Sequence, residues 1–321
     1  MLEILKITFP FFALVLCGYL AARARLLPLE AIGGLNTFVL FFALPCMLYR
    51  FGAQTPLGQL LDPAAFAVYV PCALLMVGAT VYFSLNERIR WNDAAFGALV
   101  AAFPNTGFMG VPLLVALLGA KAAGPAILTI LIDLVMTSSL CIALSRLDSA
   151  DEHGAAIAAR KALKGAATNP MPWAIALGAL SSGFGLTPIE PVMSTLGLLA
   201  DAASPVALFT IGAVMARSQQ VAAAGEHEPL PARDFVPVAV AKLLVHPLVV
   251  LAVGSLAIAF GLDLDRFALT AMVLVAALPS ASNVSLLAER FGADNGRIAR
   301  IILLTTAAAF LTFSGAVALL R

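Results

Sequence analysis

Four ionisable side chains lie deep in apolar stretches of the chain: Asp133 in LTILIDLVMTS, Asp201 in LLADAASP, and Lys242 with His246 in KLLVHPLV. An ionisable group in apolar surroundings is costly and is functional by default when the surroundings are a bilayer. Asp133 has no basic residue near it in sequence, so it must be protonated for part of the time or paired across helices. That makes it the first candidate for proton coupling. Asp201 is the second candidate, with capping of the segment that enters Pro205 as its structural alternative. Lys242 and His246 are one turn apart on one helical face. They could attract a carboxylate substrate or serve as partners for Asp133. Lys242 could equally snorkel from near its helix end, and His246, just before Pro247, could bond a backbone group.

A second signal is a repeated phrase. LVAAFPNTG runs from Leu99 to Gly107 and LVAALPSAS from Leu274 to Ser282. Each puts a proline, then small polar residues, inside an apolar segment. Proline in a helix interior removes a hydrogen bond and clashes with the preceding turn, at a cost of about 3 kcal/mol. Within a bilayer such a break must be buried in protein or line a wet cavity. Pro104 is followed by Asn105, Thr106 and Gly107; Pro279 is followed by Ser280, Ala281, Ser282 and Asn283. Proline suits the first turn of a restarting helix, and Asn, Ser and Thr can cap its amides. Each segment therefore reads as two half-helices, and the positive end of a restarting half suits an anion. Pro104, Asn105, Thr106, Gly107, Pro279, Ser280, Ser282 and Asn283 are the candidate substrate-binding residues.

The elements that carry these residues follow from composition. The 321 residues are 61% hydrophobic and 12% charged, against about 25% charged in soluble domains. Mean hydropathy is +0.99. This is an integral membrane protein with helical spans. A net charge of +1 provides no field for nucleic acid. Cys17, Cys46, Cys72 and Cys141 all lie in apolar runs without metal-ligand spacing and read as small core residues. No metal site and no cofactor is expected. The N-terminal apolar stretch lacks a basic leader and a small-residue cleavage site, and reads as a retained span.

The apolar runs predict ten spans: 4–22, 34–52, 64–85, 94–118, 124–146, 169–187, 190–216, 235–261, 265–290 and 297–320, with TPIEP at Thr187–Pro191 as the break between the sixth and seventh. With the N-terminus outside, thirteen lysines and arginines fall in cytoplasmic loops and five on the other side, Lys242 being inside a span. The positive-inside rule thus favours both termini outside. The repeated phrases fall in spans four and nine. Pro45 with Phe51-Gly52-Ala53 matches Pro205 with Ile211-Gly212-Ala213 in spans two and seven. A five-span unit repeated once must invert. The expected fold is therefore all-α and polytopic, with ten transmembrane helices in two inverted five-helix repeats. These are 1–146 and 169–321, joined by a cytoplasmic linker at 147–168.

At PNTGFMGVPLL (Pro104–Leu114) and AALPSASNVSLLAERFG (Ala276–Gly292) the sequence resembles the auxin efflux carrier family, as do SPVALFTIGAVMA (Ser204–Ala216) and KLLVHPLV (Lys242–Val249). That family covers plant auxin exporters and bacterial permeases of the malonate or dicarboxylate type. The resemblance extends over almost the whole chain, and the short linker matches the bacterial members. It implies broken helices four and nine crossing beside the substrate. Spans 1, 2, 6 and 7 would form a scaffold and homodimer interface, and spans 3–5 and 8–10 a transport domain that moves in an elevator cycle.

The function expected is secondary transport of a small organic anion, auxin-like or a mono- or dicarboxylate such as malonate, proton-coupled or driven by the anion's own gradient. The location expected is a bacterial-type inner membrane. The competing reading is a sodium-coupled carrier of the bile-acid type, which shares crossed broken helices. Sodium needs several oxygen ligands, usually with carboxylates, and both breaks here carry only Asn, Ser and Thr. An intramembrane enzyme is disfavoured: the spans contain no paired aspartates, no HExxH and no nucleophile–base pair, and His153 and His227 fall in loops.

Overall fold

The computed structural model describes residues 2–55, 58, 62–147, 160, 170–186, 188–223 and 231–320. The expected linker at 147–168 lies outside them except for Leu147 and Arg160. The described helices are α1 Leu2–Arg23, α2 Ala31–Gln54, α3 Pro63–Ser84, α4 Trp91–Ala102, α5 Thr106–Leu118, α6 Ala120–Leu144, α7 Pro170–Phe184, α8 Glu190–Ala223, α9 Val236–Ala259, α10 Arg266–Ala276, α11 Val284–Arg290 and α12 Asn295–Leu320.

Among the described residues, seven helices are long and apolar enough to cross a membrane: α1, α2, α3, α6, α8, α9 and α12. The expectation of ten spans in two inverted five-helix repeats is corrected by this count. Three of the ten apolar runs are not single long helices. Run 94–118 is cut at Pro104 into α4 and α5, and run 265–290 is cut at Pro279 into α10 and α11. Run 169–187 yields only the 15 residues of α7, about 22 Å against a hydrocarbon core of about 30 Å. Gly185, at φ 63°, ends it in the left-handed conformation that terminates helices.

The chain divides into two compact units. The first comprises residues 1–62, 106–127 and 169–228, and the second 63–105, 128–168 and 229–321. The boundary between Asn105 and Thr106 falls at the first proline break.

Glycine sets the helix spacing in the first unit. A Cβ on Gly212 of α8 would lie 1.8 Å from the Val15 carbonyl oxygen of α1, and one on Gly18 would lie 1.8 Å from that of Phe209. Backbones approach this closely only where side chains are absent, the usual device where helices cannot rely on hydrophobic burial. α8 runs unbroken through Pro205. The Ser204 hydroxyl reaches the Phe108 carbonyl of α5 at 3.2 Å. Large apolar side chains such as Phe9, Phe41 and Leu198 remain exposed, as expected of helices that face lipid.

The second unit has a continuous apolar core of Tyr69, Cys72, Leu128, Val250, Met272 and Ala276, from α3, α6, α9 and α10. At one end it is tied by Arg297, in the first turn of α12 and only 2% exposed. Its Nε donates to the Asp234 carbonyl and its Nη1 to the Asp93 carbonyl, both at 2.7 Å. Asp294 accepts from the Arg297 amide, and Asp93 Oδ1 accepts from the Asp294 amide. The guanidinium lies against Gly97, where a Cβ would come within 2.7 Å of Nη1. Arg297 is one of the thirteen cations that the sequence assigns to cytoplasmic loops; in the fold it is a buried fastener for α4, α9 and α12.

Gly212→Val should force α1 and α8 apart. Overpacking of this kind costs about 1–3 kcal/mol or more, so the melting temperature in detergent should fall. Gly197→Ala, on the same helix where a Cβ meets nothing within 4 Å, should leave it unchanged or slightly higher.

Candidate functional site

The two proline breaks meet within the second unit. Pro104 and Ser280 form an antiparallel bridge. The Asn105 amide donates to the Pro279 carbonyl at 2.8 Å, and the Ala281 amide donates to the Phe103 carbonyl at 3.0 Å. Proline chemistry explains the surrounding bonds. The Val100 carbonyl would take the amide of residue 104 in a helix, and Pro104 has none. The Ser280 hydroxyl supplies that bond at 2.7 Å. The Val275 carbonyl would take the amide of residue 279, also proline, and instead accepts from Leu278 at 3.1 Å. The Ser280 amide, diverted from its helical acceptor, donates to Thr305 Oγ1 at 3.3 Å. Buried backbone groups must be paired somewhere, and here the partners come from the opposite break and from α12.

The side chains at the bridge are less committed. Asn105 is 4% exposed. Asn283 precedes α11 and makes no side-chain cap bond, and its Oδ1 is buried without a partner among the described residues. The expected capping by Asn283 is therefore absent. Ser282 is half-buried, and its carbonyl accepts from the Ser285 amide and hydroxyl. Thr106 and Gly107 group with the first unit, Thr106 fully buried and Gly107 beside Leu44.

Three of the four charged candidates share the second unit. Asp133 is fully buried and opens a π-helical turn, Asp133–Thr137, in α6. Tyr69 of α3 donates to its Oδ2 and Thr137 to its Oδ1, both at 3.0 Å. Lys242, also fully buried, lies in a second π turn, Ala241–Val245, of α9. Its Nζ donates to the Ala276 carbonyl at 2.8 Å and lies 3.1 Å from His246 Nδ1. His246 is buried, its ring centroid 6.3 Å from that of Tyr69, and its Nε2 has no partner among the described residues. Single π turns concentrate at functional positions.

The residues thus run Asp133, Tyr69, His246, Lys242 through the core. Among the described residues Lys242 makes no ion pair with Asp133; its ammonium is spent on a backbone carbonyl and a ring nitrogen. Full burial also removes the snorkelling alternative for Lys242. Asp201 is elsewhere: it is in the first unit, on α8, paired with Arg50 Nη1 at 2.6 Å and largely exposed. Among the described residues its carboxylate is spent on Arg50 rather than on capping the segment that enters Pro205. Tyr69, Thr137 and Thr305 escaped the sequence reading. The only available signal was a hydroxyl in an otherwise apolar run.

Comparison with known proteins adds a family match over nearly the whole chain. A family described as "Membrane transport protein" matches residues 4–317. A protein of Rhizobium meliloti named "Putative malonate transporter" is 28% identical over 324 residues, covering 100% of this chain and 97% of its own. "Uncharacterized transporter YfdV" of Escherichia coli is 27% identical, covering 88% of this chain and 86% of its own. An "Uncharacterized transporter" of the archaeon Methanothermobacter thermautotrophicus is 25% identical, covering 91% and 90%.

Ser280→Ala should leave the Val100 carbonyl without a donor in a buried site. An unsatisfied buried group costs about 1–3 kcal/mol, so the variant should unfold earlier in a denaturant titration. Ser285→Ala, whose hydroxyl serves only the Ser282 carbonyl at a half-buried position, should lose less.

Proposed function

Because this chain belongs to the membrane transport protein family, we propose that it is a secondary carrier of a small organic anion, with malonate or a related carboxylate as its substrate. The observation that carries this reading is the backbone bridge between two proline breaks, buried in apolar helices. The bridge satisfies the buried backbone yet leaves carboxamides beside it uncommitted. Asn105 and Asn283 are the proposed ligands, with Ser282 in support. A carboxamide turned through 180° presents either its NH2 or its oxygen, so Asn283 can donate to a carboxylate. The name of the Rhizobium meliloti relative supports malonate as the first substrate to test.

Asp133 is proposed as the proton-coupling group. Among the described residues of the second unit it is the one buried carboxylate held by hydroxyls rather than by a cation. A hydroxyl donates to an ionised carboxylate and accepts from a protonated one, so Tyr69 and Thr137 serve either state. The proposed cycle is alternating access of the elevator type, with the unit that holds the bridge carrying the anion. The proposed location is the inner membrane of a bacterium.

The test is uptake of radiolabelled malonate and other small carboxylates into proteoliposomes, with and without an imposed pH gradient and with and without sodium. Accumulation driven by the pH gradient and indifferent to sodium is expected. Uptake that requires sodium, or no uptake of any carboxylate, would overturn the reading.

Asn105→Ala and Asn283→Ala should each weaken malonate binding by about ten- to a hundred-fold, the worth of a hydrogen bond to a charged group. Calorimetry on folded variants checks this, and unchanged affinity in both removes them from the site. Asp133→Asn fixes the uncharged state. It should abolish pH-driven accumulation while malonate binding survives, and wild-type accumulation in this variant would dismiss the coupling role.

A further inference from the structure

We propose that Lys242 is a positioning residue for the bridge: its ammonium holds the cut end of α10 and thereby fixes where Pro279 meets Asn105. The proposal rests on reading the bridge as the substrate site. It gives Lys242 a role other than attracting the anion or pairing with Asp133.

The break at Pro279 creates the need. In an uninterrupted helix the Ala276 carbonyl would accept from the amide of residue 280. That amide instead donates to Thr305 Oγ1 at 3.3 Å. The first two amides after α10 are also spoken for, since Ala277 donates to Val273 and Leu278 to Val275. The Ala276 carbonyl is thus left at a helix C-terminus, fully buried, where the aligned peptide dipoles present negative charge. Water does not reach such a group, and Lys242 Nζ takes its place at 2.8 Å.

Geometry makes this a brace. Ala276 lies three residues before Pro279, whose carbonyl is the acceptor for Asn105. Lys242 comes from a different helix, α9, where a π turn carries it. Its second contact, 3.1 Å from His246 Nδ1, steadies the ammonium. With Lys242 as an ammonium, which only donates, Nδ1 is the acceptor and a neutral imidazole carries its proton on Nε2. Thr305 holds the same segment from α12. The loop 277–280 is therefore pinned by a lysine from α9 at its start and a threonine from α12 at its end. Neither of these two contacts of Lys242 involves Asn105, Ser282 or Asn283.

Hydrogen–deuterium exchange on the full chain in nanodiscs reads the bridge directly and needs no substrate, so its outcome is independent of whether malonate is transported. Lys242→Met keeps the stem and removes the donor. Exchange in peptides spanning 99–107 and 274–284 should quicken about tenfold, while peptides from α1 and α8 keep wild-type protection. Lys242→Gln restores a neutral donor and should bring the bridge peptides back toward wild-type rates, which a role resting on charge alone would not produce. Wild-type exchange at the bridge in Lys242→Met overturns the proposal, and loss of malonate binding with the bridge still protected would assign Lys242 to the anion directly. Should Lys242→Met not fold, Lys242→Gln decides alone: bridge protection near wild type supports the proposal, and exchange as fast as in unstructured peptide overturns it.

Discussion

A backbone carbonyl that loses its helical partner inside an apolar core has no water to turn to, and this constraint organises the second unit. Pro104 and Pro279 each strip one amide from a helix and stop it. The resulting debts are settled between the two breaks: Asn105 donates to Pro279, Ala281 to Phe103, and the Ser280 hydroxyl to Val100. An unpaired polar group in such surroundings costs several kcal/mol. Two isolated breaks would therefore be untenable, whereas two breaks that face each other are stable. The polar residues after each proline are explained by this demand before any ligand is considered.

The same demand accounts for the helices around the bridge. Thr305 of α12 receives the Ser280 amide, and Lys242 of α9 receives the Ala276 carbonyl. α4 itself leads to Pro104. At their starts these three helices share Arg297, which bonds the Asp93 carbonyl at the start of α4 and the Asp234 carbonyl just before α9 from the first turn of α12. Because helices are stiff, a fastener at one end fixes the register of contacts some ten residues along. Buried arginine bonded to carbonyls is expensive to desolvate, and its removal leaves several acceptors unpaired. Its burial against Gly97 is consistent with a role in holding geometry.

Much of this was legible in the sequence for local reasons. A proline followed by Asn-Thr-Gly or Ser-Ala-Ser inside an apolar run announces a break, because proline's missing amide is a property of the residue alone. The break between α7 and α8 near TPIEP was legible for the same reason. The number of membrane-crossing helices was not legible. The breaks at Pro104 and Pro279 announce themselves, but hydropathy cannot tell whether two halves together make a span, and it cannot see Gly185 turn left-handed after α7. Partnership across helices was also hidden: Asp133 meets Tyr69 from 64 residues away, and Lys242 meets Ala276 from 34. Asp201 and Arg50, 151 residues apart, form a surface pair that no local pattern signals.

The buried charges of the second unit constrain how an anion could be accommodated on the proposed reading. Asp133 and Lys242 carry opposite formal charges and are both fully buried, so in their ionised forms they contribute no net charge to the core. A carboxylate arriving at Asn105 and Asn283 meets neutral dipoles, which orient it without neutralising it. Each ionised carboxylate of the substrate would then add one uncompensated negative charge in a low-dielectric region, where charge is costly. Uptake of one proton by Asp133 offsets one such charge and leaves the ammonium of Lys242 to balance it through the protein, without touching it. Tyr69 and Thr137 can rotate their hydroxyls to bond the carboxyl in either state, so the change in charge need not disturb the packing of α3 against α6. The ammonium can therefore remain on the Ala276 carbonyl throughout, and charge balance and bridge geometry are served by the same side chain.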